Sequence, residues 1–336
     1  MSRVWRNWGR NQLAMPADIV RPTSESELAA VVSRGVAERR QVKVVGSGHS
    51  FTDIACTDGL QVDMAAFDHV LGVDRQHHRV TVGAGTVLAT LNEKLADVGM
   101  ALPNLGDIDA QTIAGATATG THGTGAGYQC ISAAIVGARL ATGDGAMLEV
   151  TLDERPDLLA AVRVGLGGLG IISQLTLQCV PAFNLHAVES TLDIDDVLPG
   201  FDEVAAANDH AEFYWFPHTR TAQLKVNNRT DAAPQPRSRV GAFVEEELLN
   251  NLAFGTLNRV GRIVPSTIPR LIDTAVRPGN RVEYIAPSHQ VFCSTRRVRF
   301  VEMEYALPRE SLLEAFGRVR SLVDELGQPI SFPIEV

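Results

Sequence analysis

A histidine lies in the middle of a glycine-serine loop near the start of the chain. The stretch VVGSGHSFTD runs from two valines into Gly46, Ser47 and Gly48, and His49 and Ser50 follow. Small residues after a β-branched run let backbone N–H groups approach a phosphate closely. The neutral imidazole of His49 is also a competent nucleophile near pH 7. A histidine hydrogen-bonded in a turn explains the same pattern, so both interpretations stay open at this point.

Two further glycine-rich segments lie in the same half of the chain, at residues 106–123 and 165–171, each beside a predicted strand. One such loop is most simply a turn. Three in one half of the chain favour a cofactor site that is lined by backbone atoms. The G-x-G-x-x-G fingerprint does not occur in its strand–turn–helix setting, and the Gly-Lys-Ser/Thr of a Walker A loop is absent. We therefore expect neither a Rossmann site nor a nucleotide-hydrolysing P-loop.

Metal and hydrolase chemistry are the remote alternatives. His49 and His122 each lie inside a glycine loop, without a second metal-ligating residue at the required spacing. The G-x-S-x-G turn of many serine hydrolases is absent. The cysteines contain no C-x-x-C pair and are scattered along the chain: Cys56, Cys130, Cys179 and Cys293. The sequence therefore predicts no metal site, and the scattered cysteines fit a reducing compartment or buried, inert thiols.

The charge of the chain limits its possible partners. The formal net charge is −9 at pH 7, and binding of a nucleic acid requires basic density instead. The N-terminal residues lack the apolar core of a signal peptide, and no window approaches the roughly 18 apolar residues of a membrane span. We expect a cytoplasmic protein with no nucleic-acid partner and no membrane span.

The predicted elements place the glycine loops at strand ends. Residues 23–40 form a predicted helix, with Ser24 and Glu27 as a capping box, and with one apolar face that contains Leu28, Val31, Val32 and Val36. The following QVKVV is a predicted buried strand that leads into the first glycine loop. A hairpin is expected around residues 143–145.

The second half of the chain alternates strands with longer helices. RRVRFVEMEYALPRE, residues 296–310, predicts a strand with alternating sides, and the helix after it should end at Gly327. The pattern of predicted strands and helices changes near residue 180, which predicts two domains, 1–180 and 181–336. The fold class is therefore α+β.

Four motifs together resemble the aldonolactone oxidoreductases, the family of L-gulonolactone oxidase, D-arabinonolactone oxidase and the alditol oxidases. They are VVGSGHSFTDIACTDG, TATGTHGTG, GLGGLGIISQLTL and the N-terminal NWGRNQ with VRPTSESEL, and the match extends from Trp5 to Val336. The resemblance implies a two-part FAD-binding domain of the vanillyl-alcohol-oxidase type over 1–180. It also implies a cap domain over 181–336, with an antiparallel sheet and flanking helices, that is incomplete at its C-terminal end.

The resemblance also implies roles for single residues. The loop from Gly46 to Ser50 would wrap the FAD pyrophosphate, and His49 would bond covalently to the 8α carbon of the flavin. The backbone of Ile171 would contact the adenine end, and glycine at Gly106 would leave O2 access to the flavin open, which favours an oxidase. The residues implied for the second cofactor loop are Asp107, Thr112, Gly115, Ala116, Thr119 and Gly123.

The implied substrate site is less complete. Glu335 matches the acidic residue of the family and would act as the catalytic carboxylate, with Asp107 also near the substrate. The arginine expected two positions after Glu335 falls beyond Val336, and the family's H-W-G-K segment does not occur. The implied reaction is oxidation of an aldonolactone or alditol by hydride transfer to flavin N5, within ascorbate-type biosynthesis. Electrons would pass to O2 or to an acceptor such as a cytochrome. The main alternative is a truncated relative that binds flavin but is catalytically silent.

Overall fold

The computed structural model describes residues 4–238, 241 and 251–336 of the chain. These residues contain both helices and sheets, so the predicted α+β class is confirmed. They divide into two compact units. The first contains the chain up to Gly123, Tyr128–Ala182 and Arg299–Met303, and the second contains Thr124–Gly127, Phe183–Val298 and Glu304–Val336.

The first unit combines three small sheets with one larger sheet. Its strands are β1 (Trp5–Arg6), β2 (Leu13–Ala14), β3 (Asp18–Val20), β4 (Val42–Val45), β5 (Leu60–Asp63), β6 (Val70–Asp74), β7 (Arg79–Gly83), β8 (Met100–Ala101), β9 (Ile135–Ala141), β10 (Met147–Thr151), β11 (Ile171–Gln178) and β12 (Val180–Pro181). Its helices are α1 (Glu25–Ala37), α2 (Leu88–Asp97), α3 (Ile113–Ala118) and α4 (Pro156–Arg163).

Strand order separates a parallel sheet from an antiparallel sheet in this unit. The parallel sheet has the order β3-β5-β4, and the antiparallel sheet has the order β6-β7-β11-β9-β10. Strands β1 and β2 pair with each other, as do β8 and β12. The predicted hairpin is confirmed, because β9 and β10 are antiparallel neighbours, with a hydrogen bond of 2.9 Å from the Thr142 N–H to the Ala146 carbonyl. The predicted strand before the first glycine loop is β4.

Helix α1 begins at the predicted cap and packs on the parallel sheet. The Ser24 hydroxyl accepts a hydrogen bond from the Glu27 N–H at 3.2 Å, which satisfies one of the free donors of the first turn. Leu28, Val31 and Val32 are buried in a core cluster that includes residues of β5. Burial of this face stabilises the helix more than its intrinsic propensity does.

The predicted position of Val36 in the buried face of α1 is wrong. Val36 is 63% exposed, and the residue that turns inward at the end of the helix is Gly35. A Cβ atom at Gly35 would overlap the side chain of Val42. The helix therefore lies so close to β4 at this point that only a glycine fits.

The second unit is built around one antiparallel sheet. Its strands are β13 (Asn184–Asp193), β14 (His210–Trp215), β15 (Thr221–Thr230), β16 (Arg281–Pro287) and β17 (Ile334–Glu335), in the order β16-β13-β15-β14-β17. The helices that the structure describes here are α5 (Ile194–Val197), α6 (Phe201–Ala207), α7 (Phe254–Ile263), α8 (Ile268–Ala275), α9 (Ser288–Phe292) and α10 (Leu312–Leu326). Gly327 ends α10 in the left-handed conformation, as predicted, with φ of 57°.

One face of this sheet carries the core of the second unit. Phe213 lies edge-on to Phe201 of α6 at 4.8 Å and to Phe316 of α10 at 5.4 Å between ring centroids. Trp215 also packs against Phe316. Because side chains alternate along a strand, the residues between these aromatic groups lie on the opposite face.

The predicted strand at residues 296–310 is wrong. The structure assigns no strand to this segment, and Val301, Met303, Tyr305 and Leu307 are all more than half exposed. Alternating side chains indicate a half-buried strand only where a neighbouring strand pairs with it. Among the described residues, no helix is both long and apolar enough to cross a membrane.

Candidate cofactor and substrate sites

The first glycine loop leaves the end of β4 and is shaped by a left-handed glycine. Gly48 has φ of 70°, a conformation that costs other residues free energy. Its carbonyl accepts a hydrogen bond of 2.8 Å from the N–H of Trp8. Within the part of the chain that the structure describes, no hydrogen bond uses the backbone N–H groups of Ser47, Gly48, His49 and Ser50. This row of donors is therefore available to an external acceptor.

Amide side chains from the N-terminal segment hold the far end of this loop. The Asn7 amide donates to the Ser50 carbonyl at 3.0 Å. Asn11 and Gln12 both donate to the Phe51 carbonyl, at 2.8 and 3.0 Å. Asn7 is buried, and its side-chain oxygen accepts from the Gln12 N–H. We call Asn7, Asn11 and Gln12 the amide clamp. The sequence analysis did not predict the amide clamp, although these three residues lie close to two tryptophans in the chain.

His49 is packed into an aromatic cluster. Its imidazole stacks on the indole of Trp8, with ring centroids 4.9 Å apart and an interplanar angle of 19°. Phe300 lies edge-on to Trp8 at 5.2 Å, and Phe51 completes the group. Burial lowers the pKa of His49 below its ordinary value. The imidazole is therefore neutral near pH 7, with one ring nitrogen free of a proton.

The structure brings the three predicted glycine loops together. A Cβ atom at Gly46 would overlap the hydroxyl of Thr112, so the first loop touches the second. The N–H of Leu166, in the third loop, donates to the Ala118 carbonyl at 3.3 Å. Backbone segments that are far apart in sequence thus converge at one place in the first unit.

The second loop depends on small residues because its two ends run against each other. A Cβ atom at Gly106 would lie 2.8 Å from the His122 carbonyl oxygen, and one at Gly123 would overlap the Leu105 carbonyl. Thr112 is the N-cap residue of α3, and its hydroxyl accepts a hydrogen bond from the Gly115 N–H at 3.3 Å. The glycines of this loop therefore have a packing role whatever the loop binds.

The other residues predicted for the cofactor site are distributed along these loops. Ala116 is buried, Asp107 is half-buried and Thr119 is exposed. The Thr119 hydroxyl donates to the Gly115 carbonyl at 3.0 Å. Ile171 is the first residue of β11 and is buried in the core of the first unit, so only its backbone can serve a ligand.

Glu335 lies on the second unit, on the face of the sheet opposite the aromatic core. It is paired with Tyr214 across β17 and β14, and Tyr214 is in turn paired with Gln223 of β15. Register partners in an antiparallel sheet point to the same side. The polar face of this sheet is therefore defined by six residues: Glu189, Glu212, Tyr214, Gln223, Lys225 and Glu335.

Two carboxylates of the polar face, those of Glu212 and Glu189, form ion pairs. The Lys225 ammonium donates to Glu212 at 2.9 Å and lies 5.1 Å from the centre of the Tyr214 ring. Burial alone would lower the pKa of Lys225, but the carboxylates of Glu212 and Glu189 outweigh burial and raise that pKa above its usual value. Lysine 225 is therefore a cation that its neighbours neutralise.

Glu189 is the centre of a second group on the same face. It forms an ion pair with the guanidinium of Arg237 and accepts hydrogen bonds from Gln223 at 3.1 Å and from Tyr284 at 3.2 Å. Arg237 also stacks over the Tyr284 ring at 4.0 Å. Of the residues on the polar face, the sequence analysis predicted a role only for Glu335. The others are far apart in the sequence, and the pairing of five strands brings them together.

Comparison with known proteins first defines the class. Residues 16–151 match the family model described as FAD binding domain. The fold is that of cholesterol oxidase from B. sterolicum, with a TM-score of 0.83 at 16% identity, over 100% of this chain and 71% of the other. The protein thus has an FAD-binding domain and the vanillyl-alcohol-oxidase fold.

The sequence comparisons then define the family. Residues 175–336 match the model described as D-arabinono-1,4-lactone oxidase. The chain is 45% identical to L-gulono-1,4-lactone dehydrogenase of Mycobacterium tuberculosis, over all of this chain and 78% of the relative. It is 30% identical to L-gulonolactone oxidase of Mus musculus, over 99% and 76%. The chain belongs to the aldonolactone oxidoreductase family, and the predicted resemblance is confirmed.

The first unit fits the cofactor of this family. The free N–H donors of Ser47–Ser50 can bind a pyrophosphate without a basic side chain, as backbone nests do. A Cβ atom at Gly46 or Gly123 would overlap a neighbouring residue, so both positions require glycine, and without side chains there the backbone atoms of the loops can approach a ligand closely.

Among the described residues, no group of three or more histidine, cysteine or acidic side chains could hold a metal ion.

Proposed function

We propose that this protein oxidises a sugar-derived aldonolactone of the L-gulono-1,4-lactone or D-arabinono-1,4-lactone type, or a related alditol. When bound, FAD would supply a hydride acceptor for the CH–OH group of the substrate. The observation that carries the proposal is the row of unused N–H donors over Ser47–Ser50, which includes the histidine that the family resemblance links to the flavin. Electrons then pass to O2 or to another acceptor.

We assign to His49 the covalent attachment of the flavin. A bond to the flavin requires a ring nitrogen without a proton, and burial favours that neutral state of the imidazole. Stacking on Trp8 fixes the plane of the ring. We assign Ile171 to the adenine end and the second glycine loop to the remaining cofactor contacts: Gly106, Asp107, Thr112, Gly115, Ala116, Thr119 and Gly123.

The polar face of the second unit is suited to a neutral polyol. A lactone or alditol offers hydroxyl groups that both donate and accept hydrogen bonds and carries no net charge. On the polar face, the cation of Lys225 is paired with Glu212, so the face offers hydrogen bonds without demanding a charged ligand. We propose that Glu335 takes the proton of the reacting hydroxyl, with Asp107 as a further substrate contact.

Gly106 keeps its proposed role in oxygen access, but its packing offers an independent reason for glycine. A methyl group there would lie 2.8 Å from the His122 carbonyl oxygen, which is closer than real Cβ contacts come. A Gly106→Ala variant would therefore change the loop as well as any path for O2. Its rate with O2 must be compared with its rate with an artificial acceptor.

The covalent link is tested on a denaturing gel. The purified protein is run under acid, and flavin fluorescence of the band is recorded for the wild type, for His49→Ala and for His69→Ala. His69 is an exposed histidine of the same unit and serves as the matched control. We expect fluorescence in the wild type and in His69→Ala only. A wild-type band without fluorescence would contradict the covalent assignment, and a protein with no flavin at all, neither in the band nor released on denaturation, would contradict the proposed function.

Substrate turnover separates an active enzyme from a silent flavoprotein. Anaerobic addition of L-gulono-1,4-lactone, D-arabinono-1,4-lactone or an alditol should bleach the flavin absorbance of the wild type. Glu335→Gln should bleach at least 100-fold more slowly, because its amide cannot accept the hydroxyl proton. A flavin that none of these compounds bleaches would favour the silent alternative. A cytoplasmic location and a role in ascorbate-type biosynthesis stay predictions from the sequence.

A further inference from the structure

A cavity of about 490 Å³ opens in the first unit beside the aromatic cluster of His49. Its lining consists of Arg6, Asn7, Trp8, Arg10 and Arg299. Three of these five side chains are guanidinium groups. The volume lies in the range of small-molecule sites, which is about 300–1,000 Å³.

In the part of the chain that the structure describes, the three arginines of this cavity are not neutralised by neighbouring acidic side chains. Among the described residues, no carboxylate lies within ion-pair distance of Arg6, Arg10 or Arg299. Elsewhere arginines are commonly paired, and Arg34, for example, contacts both Asp18 and Glu38. A cluster of three like charges around one cavity is unfavourable until an anion joins it, in a chain whose overall charge is −9.

The backbone around these arginines is held in place. Arg10 has φ of 59°, the left-handed region that a residue with a side chain seldom adopts, and its N–H donates to the Asn7 carbonyl at 3.1 Å. The Asn7 side chain is pinned to the histidine loop, and Phe300, next to Arg299, packs on Trp8. The three guanidinium groups therefore extend from a preorganised backbone.

We propose that this cavity binds an anionic electron acceptor that reoxidises the flavin. Guanidinium groups bind carboxylate, phosphate and similar anions through paired hydrogen bonds, which defines the chemical class of the ligand. Trp8 connects the cavity with His49, the residue to which we assign the flavin, because Trp8 lines the cavity and its indole stacks on His49 at 4.9 Å. The binding of an anion stands on the cavity alone, whereas its role as an acceptor rests on the proposed function.

The electron balance is met by an acceptor of this class. Oxidation of one CH–OH group to C=O releases two electrons and two protons. Two hexacyanoferrate(III) ions each take one electron and become hexacyanoferrate(II), and both protons go to solvent. Hexacyanoferrate is therefore a suitable probe, since both of its oxidation states are multiply charged anions.

Binding is tested without any turnover. Hexacyanoferrate(II) is titrated by calorimetry into the purified full chain and into Arg6→Gln, Arg10→Gln and Arg299→Gln. We expect one site in the wild type and at least 5-fold weaker binding in each variant, with partial recovery in Arg299→Lys. The matched control is Arg39→Gln, because Arg39 is also exposed and also has a positive φ, of 52°, but does not line the cavity. Equal weakening in the control, or no binding to the wild type, would overturn the proposal.

The acceptor role is tested by rapid mixing of the dithionite-reduced protein with an acceptor. We expect reoxidation by hexacyanoferrate(III) to slow at least 5-fold in Arg299→Gln, whereas reoxidation by the cation phenazine methosulfate stays unchanged. Anion binding with unchanged reoxidation rates would overturn the acceptor role. If the protein holds no flavin, the acceptor role falls together with the proposed function, and the calorimetry still decides whether the arginines form an anion site.

Discussion

The two candidate sites of this protein are built from different atoms. In the first unit, the candidate cofactor site consists of backbone N–H groups and glycines of three loops. In the second unit, the polar face is made of charged and hydrogen-bonding side chains on neighbouring strands. The first site should therefore be damaged by added atoms, and the second by removal of one member of a pair.

The largest effect is expected on the polar face. Lys225→Met leaves the Glu212 carboxylate without the ammonium group that neutralises it, and both side chains are less than a fifth exposed. We expect the free energy of unfolding to fall by about 3–5 kcal/mol in urea denaturation. The double variant Lys225→Met with Glu212→Gln should recover most of the loss. If the double variant is as unstable as the single one, the charge pair is not what stabilises this face.

A smaller loss is expected from one methyl group in the cofactor loops. Gly123→Ala places a Cβ atom against the backbone carbonyl of Leu105, which can move only if the loop moves. We expect a loss of about 1–3 kcal/mol in stability and weaker retention of FAD. Gly143→Ala is the matched control, because nothing lies within 4 Å of a Cβ atom there. A stable Gly123→Ala variant with normal FAD content would mean that the loop is not built on close backbone approach.

The amide clamp of the histidine loop should matter about as much as one buried hydrogen-bonding group. Asn7→Ala removes the donor to Ser50 and the acceptor for the Gln12 N–H from a buried position. We expect a loss of about 1–2 kcal/mol in the free energy of unfolding, measured by thermal denaturation. Asn11→Ala removes an exposed hydrogen bond to Phe51 and one acceptor of the Asn7 amide, and it should cost less because the Asn11 side chain is itself exposed. Equal losses would show that burial of Asn7 is not the cause.

The smallest effect is a dependence of stability on pH. Burial lowers the pKa values of His49 in the first unit and of His210 in the second, so the unfolded chain binds protons that the folded protein does not. Stability from these groups is present above about pH 6.5 and is lost as pH falls toward the lowered pKa values. We expect the loss between pH 7 and pH 5 to shrink by on the order of 1 kcal/mol in His210→Asn, and not in the exposed control His69→Asn. An unchanged pH profile in His210→Asn would contradict this prediction.

Much of the first unit could be predicted from local patterns. The cap of α1, the strand β4 and the hairpin between β9 and β10 all follow from residues that are close in sequence. The placement of Val36 failed because the space between α1 and β4 is set by the contact of Gly35 with Val42. The strand predicted for residues 296–310 is wrong because alternating apolar and polar residues show only that a strand is possible. A strand also needs a neighbouring strand that pairs with it.

The sequence by itself determined the family and the cofactor, through the resemblance of its motifs. It also determined the glycine loops, because close backbone approach requires glycine wherever a side chain would collide. Only the tertiary structure decided which residues surround those loops. The amide clamp around Asn7, the three arginines near Trp8 and the polar face around Lys225 each join positions from separate segments. Long-range pairing of this kind depends on strand register and chain crossing, which leave no local signal in the order of the residues.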